Sequence, residues 1–285
     1  MRGVVSGGML KALEHLDLLA TFDAVYGSSA GAVNGAFFLA SQATYGISIY
    51  FEDINNSSFI SLGRSVTRRP VMSLSYLLEE VITRRKRLDW RAVLDSPVEL
   101  KVAVSSLDQL RLRLLSDFRG RDHLFAALRA SSTVPLIAGP PVEVEGERFL
   151  DALLFEPIPY HAAVRDGCTH VLVLLTRPDG TLNGKPTLFE RHVLGRWIAS
   201  LEPRLRDAYL AQEHAYDDQV QRLKARSIQA QGPPWFCAWA LPATSPPIRW
   251  LERDRGRLEA AATNGYDTVI AGLGTAAARP GGVRR

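Results

Sequence analysis

The chain has 285 residues, 46% apolar and 22% charged, an ordinary globular composition that excludes bulk disorder and leaves room for one large domain or a domain with an extension. A formal charge of +4 is too mild to demand a nucleic-acid partner. The two cysteines, Cys168 and Cys237, lie far apart without Cys/His ligand spacing, so no disulfide framework, structural metal or cofactor is expected and the setting reads as cytosolic. The opening Met1-Arg2-Gly3-Val4-Val5 lacks a signal-peptide core, and no run of about 18 apolar residues predicts a transmembrane span.

Val5, Met9, Leu10, Leu13 and Leu16 recur at helical spacing and predict a helix over residues 4–19. Gly7 and Gly8 lie inside it. Each glycine weakens a helix by roughly 1 kcal/mol relative to alanine, which points to tight packing against a neighbour. Residues 22–26 read as a strand and residues 30–40 as a small-residue helix. The segment between them, Gly27-Ser28-Ser29-Ala30-Gly31, matches Gly-x-Ser-x-Gly. In a nucleophile elbow, Gly27 and Gly31 let the strand fold back into the helix and leave Ser29 strained with its hydroxyl exposed. The Ala30 amide and the positive end of the helix then face negative charge developing on an attacked carbonyl. Alone, the pattern fits an ordinary strand-to-helix turn equally well.

Residues 47–94 read as an interrupted helical cap, broken at Asn55-Asn56-Ser57-Ser58 and Arg68-Arg69-Pro70. Within it Arg84-Arg85-Lys86-Arg87 is the densest charge run. It reads as a solvated helix face, flanked by Glu79, Glu80 and Asp89, with peripheral contact to a membrane surface as the alternative. Residues 100–105 and 111–115 form a predicted hairpin, followed by a helix over 121–131 and strands over 142–145 and 148–150, the last ending at Asp151. A short helix over 160–165 and a buried strand over 169–175 follow. Strands alternating with helices predict a mixed α/β sheet. Beyond residue 176 come a loop, two charged helices over 188–226, proline-rich punctuation at 232–234 and 242–247, and a last helix over 258–273. No internal repeat is evident. Gly180 to Pro186 does not read as a phosphate loop, because the glycines are too close and Pro186 takes the Ser/Thr place.

Taken together these residues resemble the patatin-like phospholipases, in particular their soluble bacterial members. Arg2-Gly3 with Gly8-Met9-Leu10-Lys11-Ala12-Leu13 is similar to the end of that family's Gly-Gly-Gly-x-Arg-Gly oxyanion loop and the helix after it, and Gly27 to Gly31 is similar to its elbow. The segments 130–135 and 139–142 resemble the approach to its acid, and Phe149-Leu150-Asp151-Ala152 falls where the family has Asp-Gly-Gly or Asp-Gly-Ala, with Ala152 replacing a glycine. Leu251-Glu252-Arg253-Asp254 and the Ala-rich helix after it resemble the bacterial C-terminal end. The resemblance implies a three-layer α/β sandwich with a mixed, mostly parallel sheet and helices on both faces. Residues 1–176 would form the hydrolase domain and 177–285 a mainly helical extension. It also implies a Ser-Asp dyad without catalytic histidine, acting on phospholipid or other acyl esters.

A serine hydroxyl attacks poorly without a base, and Asp151, at the end of a strand, is the expected partner of Ser29. Without the elbow, Asp151 would read as a turn or cap carboxylate. Asp166-Gly167 and Asp179-Gly180 have plain explanations, a helix end and a Pro-Asp-Gly turn. The enzymatic rival is an α/β-hydrolase triad drawing on His161, His170, His192 or His214. Only 28 residues precede Ser29, however, whereas that fold places several strands before its elbow. The non-enzymatic rival is a catalytically dead lipid-binding or regulatory module. Because the family-like pattern opens at Arg2-Gly3, the reading further expects an upstream strand and glycine run ahead of Met1, without which the chain is poorly folded and nearly inactive.

Overall fold

The computed structural model describes residues 1–67, 69–181, 196–205, 215–229 and 232–277. The first apolar stripe forms helix α1, Gly3–His15. It stops before residue 19 because Asp17 takes a left-handed φ of 54°, which lets the Leu18 amide close on the Leu13 carbonyl at 3.0 Å. Strand β1, Ala24–Ser28, leads directly into helix α2, Ala30–Leu39. This helix ends in the same way, with Ser41 at φ 52° and the Gln42 amide on the Phe37 carbonyl at 2.8 Å. β1 begins two residues later than its apolar pattern indicates, because its span is set by parallel pairing with the next strand.

That strand is β2, Glu99–Ser106, with Ala24 opposite Glu99 and Ser28 opposite Ala103. β3, Arg111–Leu115, returns antiparallel as the predicted hairpin. Helix α3, Arg121–Ser132, then leads to a second hairpin, β4 (Val142–Val144) and β5 (Glu147–Asp151). Its two turn residues, Glu145 and Gly146, have φ of 53° and 80°, the double positive φ that suits the twist of a tight hairpin. β5 pairs antiparallel with β2, placing Asp151 opposite Val104. The resulting sheet runs β1-β2-β5-β4, with β3 also on β2. Helices α2 and α3 both pack on β2. The architecture is α/β.

Helix α4, Tyr160–Arg165, precedes β6, His170–Pro178. β6 is only partly buried, against the expectation of a fully buried strand, because it belongs to a separate two-stranded sheet. Its parallel partner is β7, Trp235–Leu241, an apolar run between prolines that the sequence reading did not identify as a strand. Of the two charged helices expected over 188–226, the described residues include α5, Ala215–Gln229, and a helical stretch at 196–201; residues 188–195 and 206–214 lie outside the described residues. The last helix, α6, Arg255–Ala277, packs along α1. Its Leu258, Ala261 and Val269 share one core with Val5, Met9 and Leu13 of α1 and with Phe37 and Phe38 of α2.

The cap expected over 47–94 is an interrupted helical region. After a single turn at Ala43–Gly46 just ahead of it, it has a single turn at Ile49–Glu52, a 3-10 segment at Leu62–Thr67, a π-helical segment at Tyr76–Arg85, and a helix at Trp90–Asp95, capped by the Asp89 carboxylate on the Ala92 amide at 3.1 Å. The Asn56 side chain accepts the Ser58 and Phe59 amides, which explains the break there.

The glycines of α1 have the role their position indicates. A side chain at Gly7 would press on Ile47, and one at Gly8 would run into the Ala262 carbonyl of α6; reciprocally, one at Gly265 would meet the Val5 carbonyl. The two backbones approach because neither carries a Cβ there. We therefore expect Gly8→Ala and Gly265→Ala each to lower the unfolding free energy in urea by about 1–3 kcal/mol. Gly274→Ala, where a Cβ meets open space in the same helix, is expected to hold stability or raise it by up to about 1 kcal/mol.

Candidate active site

Ser29 has φ 54° and ψ −125°, a conformation that a non-glycine residue adopts only under constraint. Two contacts supply the constraint. Gly27 lies so close to the first turn of α2 that a Cβ would strike Ala32, and the Ser29 amide donates to Ser131 Oγ at 2.8 Å. Ser131 in turn donates to the Ala103 carbonyl of β2 at 2.7 Å, so the elbow is tied to the strand beside it. Gly31 differs from Gly27, since a Cβ there meets nothing within 4 Å. Closeness of the chain thus requires glycine only on the strand side. Beyond Ser29 the first turn of α2 begins at Ala30, where amides have no intrahelical acceptor and the helix end is positive.

Asp151 is 2% exposed. Its amide donates to the Thr133 carbonyl at 3.0 Å, and its Oδ1 accepts the Leu153 amide at 2.9 Å, capping the 3-10 turn Ala152–Leu154. The cap reading and the site reading therefore apply to the same carboxylate. Ala152 opens that turn in a conformation open to any residue, so its replacement of glycine introduces no backbone strain. Burial raises the Asp151 pKa from the ordinary 3.8 to about 6, against the opposing pull of the nearby Ser29 hydroxyl and of the Leu153 amide that it accepts.

Ser29 and Ala30 line a cleft of about 570 Å³, its open mouth included. The walls are apolar, with Ile49, Phe59, Met72 and Leu77 among them. Asn34, one turn along α2, reaches from this wall to the start of α1. Its Nδ2 donates to the Gly3 carbonyl at 2.8 Å, and its Oδ1 accepts the Tyr50 hydroxyl at 3.0 Å. Gly3 abuts the elbow, since a Cβ there would collide with Ala30 and Tyr50. Arg2 is directed elsewhere. Its Nε donates to the Ile248 carbonyl at 3.2 Å, its guanidinium lies over the Trp250 ring, and burial with nearby Arg177 lowers its pKa to about 10.

Neither His161 nor His170 lines the cleft. His161 stacks on Tyr160, with burial lowering its pKa, and His170 contacts Thr169; His192 and His214 lie outside the described residues. Among the described residues no group of three or more His, Cys, Asp or Glu side chains is placed to hold a metal ion. The sequence reading marked residues 130–135 as a segment leading to the acid but gave them no separate roles. The structure separates them: Ser131 holds the elbow, Thr133 holds the Asp151 backbone, and Ser132 lines the cleft with a buried hydroxyl that has no partner among the described residues. Their adjacency at the end of one helix was the available signal.

A sequence profile of the family described as "Patatin-like phospholipase" matches residues 1–164, a span that includes Ser29 and Asp151. The chain is also similar to the "Uncharacterized protein YjjU" of Escherichia coli (strain K12), at 24% identity over 215 residues. That alignment covers 71% of this chain and 56% of the relative, so the chain spans about half the length of the curated relative it matches.

The Asp151 shift carries a stability consequence. Its folded pKa lies above the ordinary value, so the protonated carboxyl favours the fold at acid pH, and that contribution is lost as pH rises through about 6. Asp151→Asn, which stays neutral, is expected to raise the unfolding free energy near pH 8 by up to about 3 kcal/mol. The gain should vanish below about pH 4, as read from denaturation curves across pH.

Proposed function

This chain belongs to the patatin-like phospholipase family, and from that premise we propose that it hydrolyses acyl esters of lipids, with Ser29 as nucleophile and Asp151 as its base. What carries this reading is a buried carboxyl of raised pKa set against a backbone-strained serine at the wall of an apolar cleft. Apolar walls suit the acyl chain of a lipid, whose burial drives binding, while the ester carbonyl lies over Ser29.

In this mechanism the Asp151 carboxylate accepts the hydroxyl proton as Ser29 Oγ attacks the ester carbonyl. Charge on the carbonyl oxygen is met by the Ala30 amide and the positive end of α2. The tetrahedral intermediate collapses with the proton returning from Asp151 to the departing alkoxide, leaving the acyl group on Ser29. Asp151 then takes a proton from water as it attacks the acyl-serine, and returns that proton to the departing Ser29 Oγ as the acyl–Oγ bond breaks and the fatty acid is released. The raised pKa suits both halves of the cycle, since a group titrating near neutrality gives and takes a proton with little penalty.

Ser29→Ala is expected to lower kcat/KM on a short-chain acyl ester by about 10⁴-fold or more, while Ser28→Ala keeps most of it, because Ser28 ends β1 and only Ser29 sits at the elbow. Loss of activity in Ser28→Ala with retention in Ser29→Ala would sink the assignment. Because the base must be ionised, kcat/KM should rise with pH through about 6 and then level. A profile with no inflection in that region, or a collapse on replacing a single histidine, would move the chemistry to another base.

A further inference from the structure

We propose that the segments formed by residues 61–67 with 69–70 and by residues 135–139 are a docking surface for the lipid–water interface of a membrane, placing the mouth of the cleft against the bilayer that supplies its substrate. Val66 and Leu62, 86% and 66% exposed, are the most solvent-exposed large apolar side chains among the described residues, and Leu136 is 40% exposed.

The way the segments are held argues that the exposure is built in. Arg64, between Leu62 and Val66, turns its guanidinium back onto the carbonyls of Ser57, Ser58 and Phe59, at 3.0, 2.7 and 3.2 Å. The polar side chain is thus satisfied internally while its apolar neighbours are left in water, the reverse of an ordinary surface turn. The base of the loop is closed by the Ile60–Met72 bridge and by the Ser61 amide on the Val71 carbonyl at 2.9 Å. The Met72 amide joins it to the second segment through the Ile137 carbonyl at 2.9 Å. There Leu136 has φ 65°, a strained backbone for a branched side chain.

Both segments adjoin the cleft along the chain, since Phe59 and Met72 flanking the first and Val134 preceding the second line it. An acyl chain leaving a bilayer held against Leu62, Val66 and Leu136 would pass along these side chains to Ser29 without crossing bulk water. Arg69 is exposed on the same segment and adds attraction for anionic lipid. The cation run expected to touch membrane is a weaker place for it. Arg84 pairs with Glu80, Arg85 with Glu80 and Asp53, and Lys86 with Glu52, so its charge is largely compensated.

The partner follows from the proposed lipid hydrolase activity, but its test measures binding apart from turnover. The full chain carrying Ser29→Ala is sedimented with vesicles of phosphatidylcholine and with vesicles of equal parts phosphatidylcholine and phosphatidylglycerol. Adding Leu62→Asp and Val66→Asp together is expected to weaken vesicle binding about tenfold or more, with an unchanged urea unfolding curve, because two apolar anchors are lost. Arg84→Ala with Arg85→Ala is expected to bind as the parent does. In the chain with Ser29 intact, the Leu62/Val66 change should lower the rate on vesicle-embedded ester relative to that on a soluble short-chain ester. Parent protein that binds neither vesicle, binding unaffected by Leu62→Asp and Val66→Asp, or binding lost in the arginine variant instead would each overturn the proposal. Vesicle binding without ester hydrolysis by the intact chain would sink the hydrolase reading and leave the docking surface standing.

Discussion

The candidate site depends on the register of one strand. Two consecutive residues of β2 position both side chains: Ala103 lies opposite Ser28, one residue before Ser29, and Val104 lies opposite Asp151. Ser131 reinforces the arrangement by bonding the Ala103 carbonyl and the Ser29 amide with the same hydroxyl. Because side chains alternate across a strand, a shift of one residue in either pairing would send Ser29 and Asp151 apart. The unfavourable backbone of Ser29 persists because the surrounding pairings over-determine it.

Burial of Asp151 opposes stability and, in the proposed mechanism, favours chemistry at once. A buried carboxylate that accepts the Leu153 amide and lies near the Ser29 hydroxyl still has its pKa pushed to about 6, so desolvation outweighs these favourable interactions. The fold tolerates this because the rest of the core is apolar and closely packed, with Val102, Ala103 and Val104 of β2 wholly buried. A second tolerance lies at the α1–α6 crossing. The glycine contact there brings the C-terminal helix against the helix whose first residue, Gly3, abuts the elbow. Distant parts of the chain thereby support Ser29 through one continuous core.

The charge pattern and the apolar pattern of the surface point to different places. Along the sequence the densest cationic run is 84–87, and it draws the eye as a place for an anionic surface. Folding brings Glu52, Asp53 and Glu80 to it, and exposed ion pairs of this kind contribute little beyond mutual neutralisation. Leu62, Val66 and Leu136 carry no signal in composition, since isolated apolar residues in loops are common. Their exposure arises only in the fold, on segments whose chain neighbours Phe59, Met72 and Val134 line the cleft.

Local chemistry made much of this molecule legible in the chain. The helical stripe from Val5 to Leu13, the hairpin around Glu145-Gly146 and the Gly27-Ser28-Ser29-Ala30-Gly31 turn are encoded by spacing and by backbone permissiveness, which act over a few residues. Long-range pairing was not legible, because a strand's partner and burial are not written in its own residues. Thus β1 began two residues late, β6 was less buried than its apolar run indicated, and Trp235–Leu241 was not identified as a strand until its pairing with β6 revealed it. The same limit applied at the site. Ser29 could be singled out from its flanking glycines, whereas the raised pKa of Asp151, the separate roles of Ser131, Ser132 and Thr133, and the turning of Arg2 toward Ile248 all arise from neighbours distant in sequence. Local geometry is carried by adjacent residues; burial and register exist only after the chain has closed on itself.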